Sequence, residues 1–415
     1  MASEDMISFI DKICSEIGPR LGTSSAEREA GNLIEREFAE YCDSTSQEEF
    51  ECHPRAFLDF IWITIGFFVL AVLFYFFNPA VTGIFIVLGL MLFSAQQVFL
   101  AEIVDPLFPK RSSTNVIGKI SATGTPKGTI LLGAHHDSAY EFPLFCRLGK
   151  NAIIVINLTV YLALAGCLLA LAKAVAIFLD MPNRSFLDFI AIPVLLLALI
   201  LTILIAITLR SSKVVPGAND NLSGVAIIRE AGKRIAQNRP ANCNVWLVSF
   251  GCEECMRGSK RFAVKHQANL QGPYDMLLNF DSVGAEKLHI IKGEKMFRAN
   301  HSPEVTDYAE TAAKNAGYNI PSMVMKFAGT DAAAFSRRQL KAASIVAMDS
   351  HGMPKNWHSL DDQPDQLDGK VLDQAVDIAI EFVKAVDSSI REGRNSRNSV
   401  KSPLNPNESQ PPERL

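Results

Sequence analysis

The chain has no excess of basic residues and no dense cysteine framework. Its 40 lysines and arginines are outnumbered by 44 acidic residues, which gives a net charge of −4. Proteins that bind nucleic acid present a basic surface to the phosphates, so we predict no nucleic-acid partner. The eight cysteines are spread over 415 residues. Such a distribution is unlike a small disulfide-stapled secreted domain, and it predicts reduced thiols in a reducing compartment.

A hydrophobic leader is also missing from the start of the chain. The first residues, "MASEDMISFIDKICSEIGPRLG", are charged and amphipathic, whereas a secretory signal has a continuous apolar stretch. Continuous apolar sequence begins only near Phe60. We therefore expect no signal peptide.

Long apolar runs, in contrast, are abundant, and hydrophobic residues make up 48% of the chain. Four uncharged runs are each close to the roughly 20 residues that a membrane-spanning helix needs. Core helices are the alternative, but cores rarely contain runs of this length without a charge. Turn-forming residues at Asn78–Pro79 and Asp180–Ser185 join the runs into two hairpins. The sequence thus predicts four spanning helices: Phe60–Phe77, Pro79–Ala101, Asn151–Ala172 and Phe189–Leu209.

Each hairpin enters and leaves on the same side, so the polar segments share one side of the membrane. The flanks on that side are rich in lysine and arginine, whereas the hairpin tips carry only Arg184 and the nearby Lys173. The positive-inside rule then predicts an integral membrane protein with a cytoplasmic polar domain. The basic flanking residues are Arg55, Lys110, Arg111, Arg147, Lys150, Arg210 and Lys213.

Strand-like and helix-like stretches alternate in the polar segments. Gly128–Asp137, Asn244–Phe250 and Tyr274–Asp281 have strand patterns, and Ser223–Gln237 has helical spacing. This alternation predicts an α/β domain with a mixed, mostly parallel sheet covered by helices on both faces. The predicted organisation is a domain in three segments, 1–55, 103–150 and 211–390, interrupted by hairpins at 56–102 and 151–210 and followed by a disordered tail at 391–415.

Acidic and histidine side chains follow the predicted strands where these end. In such a sheet, ligands bind at the carboxyl ends of the strands. Nitrogen and oxygen ligands without cysteine suit zinc, cobalt or manganese, and a pair of metals is the usual arrangement for metal-assisted hydrolysis. The adjacent Glu253 and Glu254 could alone be a solvated surface pair, and the flanking Cys252 and Cys255 a redox or metal motif. The candidates that follow strands or lie in polar loops are His135, Asp137, Asp220, Glu253, Glu254, Asp281 and His358.

Five motifs in this order resemble the co-catalytic zinc aminopeptidase family, which includes glutaminyl cyclase and the transferrin receptor ectodomain. They are "GAHHDS", "PGANDNLSG", "FGCEECMRGS", "LNFDS" and "WHSLDD". The resemblance covers the polar domain and implies a zinc exopeptidase fold.

The resemblance also implies a role for each residue. His135 and Asp281 would hold one zinc, and Glu254 and His358 the other, with Asp220 bridging both. Glu253 would be the general base, and Asp137 would orient His135. His351 is a weaker candidate than His358, and Asp331 resembles a position near the substrate pocket. We expect His136, Cys252 and Cys255 to be structural or packing residues.

The implied function is a membrane-anchored aminopeptidase acting on peptides with a free N-terminus. A glutaminyl-cyclase-like acyltransferase and a non-catalytic receptor or scaffold are the alternatives. The hairpins depart from the family pattern, as does Trp357, where relatives often have tyrosine. Short linkers from the second hairpin to His135 and Asp220 predict a metal centre near the membrane, with Ser138–Lys150 at its mouth. Whether substrates arrive from the bilayer or from solution stays open.

Overall fold

The computed structural model describes residues 2–393. Nine strands are present in this range: β1 Ser44–Cys52, β2 Arg111–Ile120, β3 Gly128–His135, β4 Cys243–Phe250, β5 Met276–Asp281, β6 Lys287–Glu294, β7 Ala299–Asn300, β8 Ser322–Met325 and β9 Ala342–Met348. The described helices are α1 Ala2–Glu16, α2 Ser25–Ala39, α3 Ala56–Asp59, α4 Ile61–Tyr75, α5 Pro79–Phe93, α6 Pro143–Leu148, α7 Asn151–Phe178, α8 Phe186–Leu209, α9 Ser223–Gln237, α10 Gly258–His266, α11 Pro303–Asn315, α12 Asp331–Ser336 and α13 Gly369–Glu392.

All nine strands form one sheet in the order β1-β2-β4-β3-β5-β9-β6-β7, with β8 paired to β6. The central strands β4, β3, β5 and β9 run parallel to one another. Towards the edges, the pairs β1–β2, β2–β4, β9–β6 and β6–β7 are antiparallel, whereas β8 pairs parallel with β6. The predicted mixed, mostly parallel α/β sheet is therefore confirmed. Parallel strands end at the same edge, which brings the ends of β4, β3 and β5 together.

Helices cover both faces of the sheet because alternate residues of each central strand point to opposite sides. On β3, Ile130 and Leu132 join a core with helices α1, α2, α9, α11 and α13. Leu131 points the other way, into a smaller core with α10 and α12. Both faces are thus buried, as expected for the near-continuous apolar runs of β3 and β5.

Within residues 2–393, four helices are long and apolar enough to cross a membrane: Ala56–Tyr75, Pro79–Val98, Asn151–Phe178 and Phe186–Leu209. They agree with the four predicted runs to within a few residues, except that α7 extends six residues beyond Ala172. Small residues such as Ala71, Ala163 and Ala170 are buried where the helices pack. Large side chains point outward instead, including Leu168 at 68% and Phe189 at 80% exposure. Exposed apolar surface of this kind is suited to lipid.

The second of these apolar helices ends in a π-helical turn, Ser94–Val98. There the buried Gln96 amide donates to Asp105 at 3.0 Å and accepts from the Ile103 N–H at 2.9 Å. These bonds satisfy a buried amide in an otherwise apolar run. Apart from its first three residues, the predicted disordered tail lies outside the described part of the chain, and α13 includes Arg391 and Glu392.

Candidate active site

The predicted site residues lie at strand ends and in the adjoining turns. His135 is the last residue of β3, and Asp281 is the last residue of β5. Glu253 and Glu254 form a 3-10 turn directly after β4. Two remaining residues come from loops: Asp220 from the irregular turn before α9, and His358 from the segment between β9 and α13. The structure brings all of them to one edge of the sheet.

The side chains of this cluster are close enough to share metal ions. His135 Nε2 lies 3.2 Å from Asp220 Oδ1 and 3.9 Å from Asp281 Oδ2. His358 Nε2 lies 3.1 Å from Glu254 Oε2 and 3.5 Å from Asp220 Oδ2. Asp220 therefore offers one oxygen to each histidine. This pairing corresponds to the two predicted ligand groups with Asp220 between them.

Asp137 contacts both halves of the cluster. Its Oδ1 accepts the backbone N–H of Glu253 at 2.9 Å and lies 3.5 Å from His135 Nδ1. Its Oδ2 accepts the N–H of Glu254 at 3.2 Å. Asp137 thus positions the two glutamates as well as standing beside His135, a second role that the sequence analysis did not predict.

Asp362 was missed, although it is the last residue of the "WHSLDD" motif. Its carboxylate accepts the N–H of Asn219 at 2.7 Å and that of Asp220 at 3.0 Å. The side chain is buried, and burial raises the pKa of Asp362 to about 7. Asp362 therefore fixes the backbone from which Asp220 reaches the cluster.

Arg20 was missed as well, and it is fully buried beneath the site. Its guanidinium donates to the carbonyl oxygens of His136 at 2.9 Å, Pro216 at 2.8 Å and Gly217 at 3.0 Å. These bonds join the loop after β3 to the loop that carries Asp220. Pro19 and Gly22 lie close to Arg20 in the sequence, but neither indicates which distant carbonyls the arginine side chain reaches.

The cluster concentrates negative charge in a buried place. Burial raises the pKa of Glu253 well above its ordinary value, and Asp331, Glu254 and Asp281 raise it further, against the opposing effect of His135. Burial also raises the pKa of Asp281, with a further contribution from Asp220. Although burial alone lowers the pKa of His135, Glu253 and the other carboxylates raise it above the usual value. A cation at this place would relieve the repulsion between the carboxylates.

The chemistry of the side chains fits metal ions. Four carboxylates face only two histidines, and the donor set is nitrogen and oxygen, as zinc accepts. Among the described residues, Glu253 Oε1 and Glu254 Oε1 are buried without a hydrogen-bond partner. Buried carboxylate oxygens without partners are costly unless an ion binds them. The buried cluster is therefore a candidate metal centre.

The structure also shows where four other residues that were singled out from the sequence lie. His351 is exposed and 3.5 Å from Lys150 Nζ, outside the cluster. His136 is buried and 2.9 Å from Ser249 Oγ, in the structural position that was expected. Trp357 stacks on His358 with ring centroids 4.1 Å apart. Asp331 is fully buried at the start of α12, where burial raises its pKa to about 7.

The expectation of reduced thiols is wrong for two cysteines. The structure joins Cys252 to Cys255 in a disulfide, and the other six cysteines are free. The tight turn through Glu253 and Glu254 places the two Cα atoms 5.8 Å apart, a distance typical of a disulfide. The bridge therefore closes the turn that presents the glutamate pair.

Family comparison agrees with the motifs. Residues 208–383 match the model of peptidase family M28, and this range contains Asp220, Glu253, Glu254, Asp281 and His358. The resemblance predicted from the motifs is thereby confirmed. No curated protein matches the chain in sequence.

Solved structures share the fold at low sequence identity. A zinc aminopeptidase from Bacillus subtilis has a TM-score of 0.53 and 13% identity, and the match covers 94% of this chain and 95% of that chain. An aminopeptidase from Aneurinibacillus sp. strain AM-1 has a TM-score of 0.54 and 14% identity, with 93% of each chain covered. A glutaminyl cyclase from Bacteroides thetaiotaomicron has a TM-score of 0.52 and 14% identity, covering 92% of this chain and 96% of that one. The family match supports a peptidase-type function, and the solved structures show that the chain shares their fold.

The contact between Asp362 and the Asp220 backbone can be tested by replacing Asp362 with asparagine. An amide cannot accept two N–H groups in this geometry without turning its own N–H₂ towards one of them. We expect Asp362→Asn to weaken zinc binding by about 10- to 100-fold, as loss of a supporting carboxylate typically does. Metal titration of the purified protein measures this effect. Asp361→Asn, the exposed neighbour, is the control, and equal zinc affinity in both variants would contradict the role of Asp362.

Proposed function

We propose that this chain is a membrane-anchored aminopeptidase with two metal ions, zinc or alternatively cobalt or manganese. His135 and Asp281 would hold one ion, Glu254 and His358 the other, and Asp220 would bridge them. The observation that carries this proposal is the cluster itself, in which Asp220 faces both histidines within 3.5 Å. When bound, the ions would polarise the substrate carbonyl and make a water molecule more acidic.

The residues of the chain account for the proton transfers. Glu253 stands 3.8 Å from His135 Nε2 and is the one cluster carboxylate not needed as a ligand. It would take a proton from the attacking water and deliver it to the leaving amine. Burial raises the pKa of Glu253, which favours the acceptance of a proton from the attacking water. Asp137 would hold Glu253 and His135 in this arrangement.

The four apolar helices would anchor the enzyme, and the basic flanks favour a cytoplasmic active site. At the end of the helices that faces the polar domain, the Asp59 carboxylate forms ion pairs with Arg55 at 2.8 Å and with Arg210 at 2.5 Å. The disulfide between Cys252 and Cys255 is the feature more typical of an oxidising compartment. Basic residues flank all four apolar helices, so they carry more weight in this proposal than the single disulfide.

Glutaminyl cyclization is the second candidate because three of the similar structures are glutaminyl cyclases, from Bacteroides thetaiotaomicron, Fimbriiglobus ruber and an Acidobacteriales bacterium. The two-metal ligand set favours the peptidase, since the resemblance implies that the cyclase type uses one zinc. A non-catalytic scaffold is disfavoured, because every predicted ligand and the predicted base are present in the described cluster.

The activity is tested with a panel of short peptides. Purified full-length protein with zinc should release the first residue of peptides with a free N-terminus, and N-acetylated versions of the same peptides should be poor substrates. A chelator should abolish the release, and added zinc should restore it. Cyclization of an N-terminal glutamine without release of any residue would favour the cyclase instead.

The two adjacent glutamates should respond differently to the same substitution. We expect Glu253→Gln to lower kcat by at least ~100-fold, as removal of a general base typically does, with metal content near that of the native protein. Glu254→Gln should lose metal as well as activity. Elemental analysis beside kinetics distinguishes the variants, and equal metal loss in both would refute the assignment.

The orientation predicts where the ends of the chain lie. A tag at the C-terminus should be protected from protease in sealed right-side-out cells or vesicles, and it should be digested after permeabilization. A tag inserted at the tip between α7 and α8 is the matched control and should be digested without permeabilization. The reverse pattern would place the active site on the opposite side of the membrane.

A further inference from the structure

The metal cluster opens into a cavity of ≈ 460 Å³ that the membrane-spanning helices help to enclose. His135, Asp220, Glu253, Glu254, Asp281 and His358 all line it. So do side chains from each of the four apolar helices, among them Ile61, Phe93, Ile156 and Ile205. A cavity of this size can enclose a small organic ligand. Catalytic groups and membrane helices thus share one binding space.

The wall that the helices contribute is unsuited to a peptide backbone. Of the described residues that these helices add to the cavity, only Gln97 and Asn157 are polar. A peptide lying there would leave most of its N–H and C=O groups without partners, which is costly in an apolar place. A hydrocarbon chain has no such groups, so it fits this wall better.

Two cationic side chains also line the cavity. Lys295 and Lys326 line it, and the Lys295 N–H donates to the Met325 carbonyl at 2.9 Å, which places the two lysines on adjoining segments. Neither ammonium group has an ion-pair partner in the described part of the chain. Every carboxylate that lines the cavity belongs to the proposed metal and base set. The cavity therefore offers unpaired cations for a substrate anion and no further anion for a substrate ammonium group.

We propose that the site also hydrolyses N-acyl amino acids that carry a long acyl chain. The acyl chain would lie against Ile61, Phe93, Ile156 and Ile205, the amide would lie at the metal cluster, and the carboxylate would pair with Lys295 and Lys326. This activity rests on the proposed function, because the same base and metal ligands perform the hydrolysis. It extends the substrates to acylated, negatively charged amphiphiles.

The reaction requires only water. Oxygen from the water bonds to the acyl carbonyl carbon, and the bond from that carbon to the amide nitrogen breaks. Glu253 takes a proton from the water and passes it to the departing nitrogen. The products are a fatty acid and a free amino acid, and no oxidant, reductant or further reactant takes part.

The test compares acyl chain lengths on one amino acid. Full-length enzyme with zinc, in detergent, is given N-acetyl-, N-octanoyl- and N-dodecanoyl-alanine, each as a monomer in solution, and alanine release is measured. We expect kcat/KM to rise by at least ~30-fold from acetyl to octanoyl, since each buried methylene favours binding. The methyl ester of N-octanoyl-alanine should be at least ~10-fold poorer, because it lacks the carboxylate that the lysines bind.

Variants test separately the apolar helix side chains and the two lysines that line the cavity. Ile205→Trp should fill the apolar part and remove the preference for octanoyl over acetyl, whereas Ile200→Trp, on the same helix but 52% exposed, should keep it. Ile156→Phe, on the facing helix α7, serves if Ile205→Trp does not fold. Replacing both Lys295 and Lys326 with glutamine should abolish the preference for the free acid over the ester. Lys287→Gln, at the start of β6, the strand that Lys295 directly follows, lies outside the cavity and should preserve it.

A dipeptide with a free N-terminus separates this inference from the proposed function. If the dipeptide is cleaved and N-octanoyl-alanine is no better than N-acetyl-alanine, the acyl-chain inference is wrong and the peptidase proposal stands. If long-chain substrates are cleaved but dipeptides are not, the inference holds and the aminopeptidase proposal fails.

Binding of N-dodecanoyl-alanine to Glu253→Gln protein, measured by calorimetry, should be at least ~10-fold tighter than binding to the same protein with Ile205→Trp added. Equal affinities would overturn the placement of the chain.

Discussion

The carboxylate of Asp137 is the interaction on which the arrangement of the site depends. It follows β3 by two residues, and it accepts the N–H groups of Glu253 and Glu254, which follow β4. The adjacent parallel strands β3 and β4 are therefore joined by this side chain as well as by their backbone hydrogen bonds. Because its Oδ1 also lies 3.5 Å from His135 Nδ1, one buried carboxylate positions the end of each strand relative to the other. Arg20 and Asp362 extend the same kind of support to the loop of Asp220.

The hairpin of α7 and α8 is inserted between His135 and Asp220, yet it does not separate these two residues in space. On the way in, the Glu141 N–H donates to Lys213 O at 2.9 Å, and on the way out the Ser211 N–H donates to Glu141 O at 2.9 Å. The Val215 N–H donates to Ala139 O at 2.9 Å, which continues the pairing towards the cluster. These bonds close the base of the insertion, so a hairpin of about 60 residues can stand between His135 and Asp220 while both reach one place.

The same closure explains why the four apolar helices lie beside the candidate active site. The predicted mouth segment, Ser138–Lys150, lies at the site, since the Phe142 N–H donates to His358 O at 2.9 Å and the Phe142 and His358 rings are 4.2 Å apart. Phe142 and Phe145 line the cavity together with residues of the apolar helices.

Much of this protein followed from the sequence alone. Short apolar, strand-like runs predicted β3, β4 and β5, and helical spacing predicted Ser223–Gln237, because local burial on a strand or helix leaves a trace in one stretch of sequence. Four uncharged runs of suitable length predicted the four apolar helices for the same reason. The order of five motifs indicated which acids and histidines would meet at the strand ends.

Only the tertiary structure decided how these groups are held and what surrounds them. Arg20, Asp362 and the glutamate contacts of Asp137 act through hydrogen bonds to backbone groups, and a backbone acceptor or donor leaves no signature in the sequence of its distant partner. The disulfide between Cys252 and Cys255 depends on the local turn, which the residue types alone did not specify. The shared cavity depends on where four helices and a sheet edge meet, and that relation exists only after the separate segments have packed.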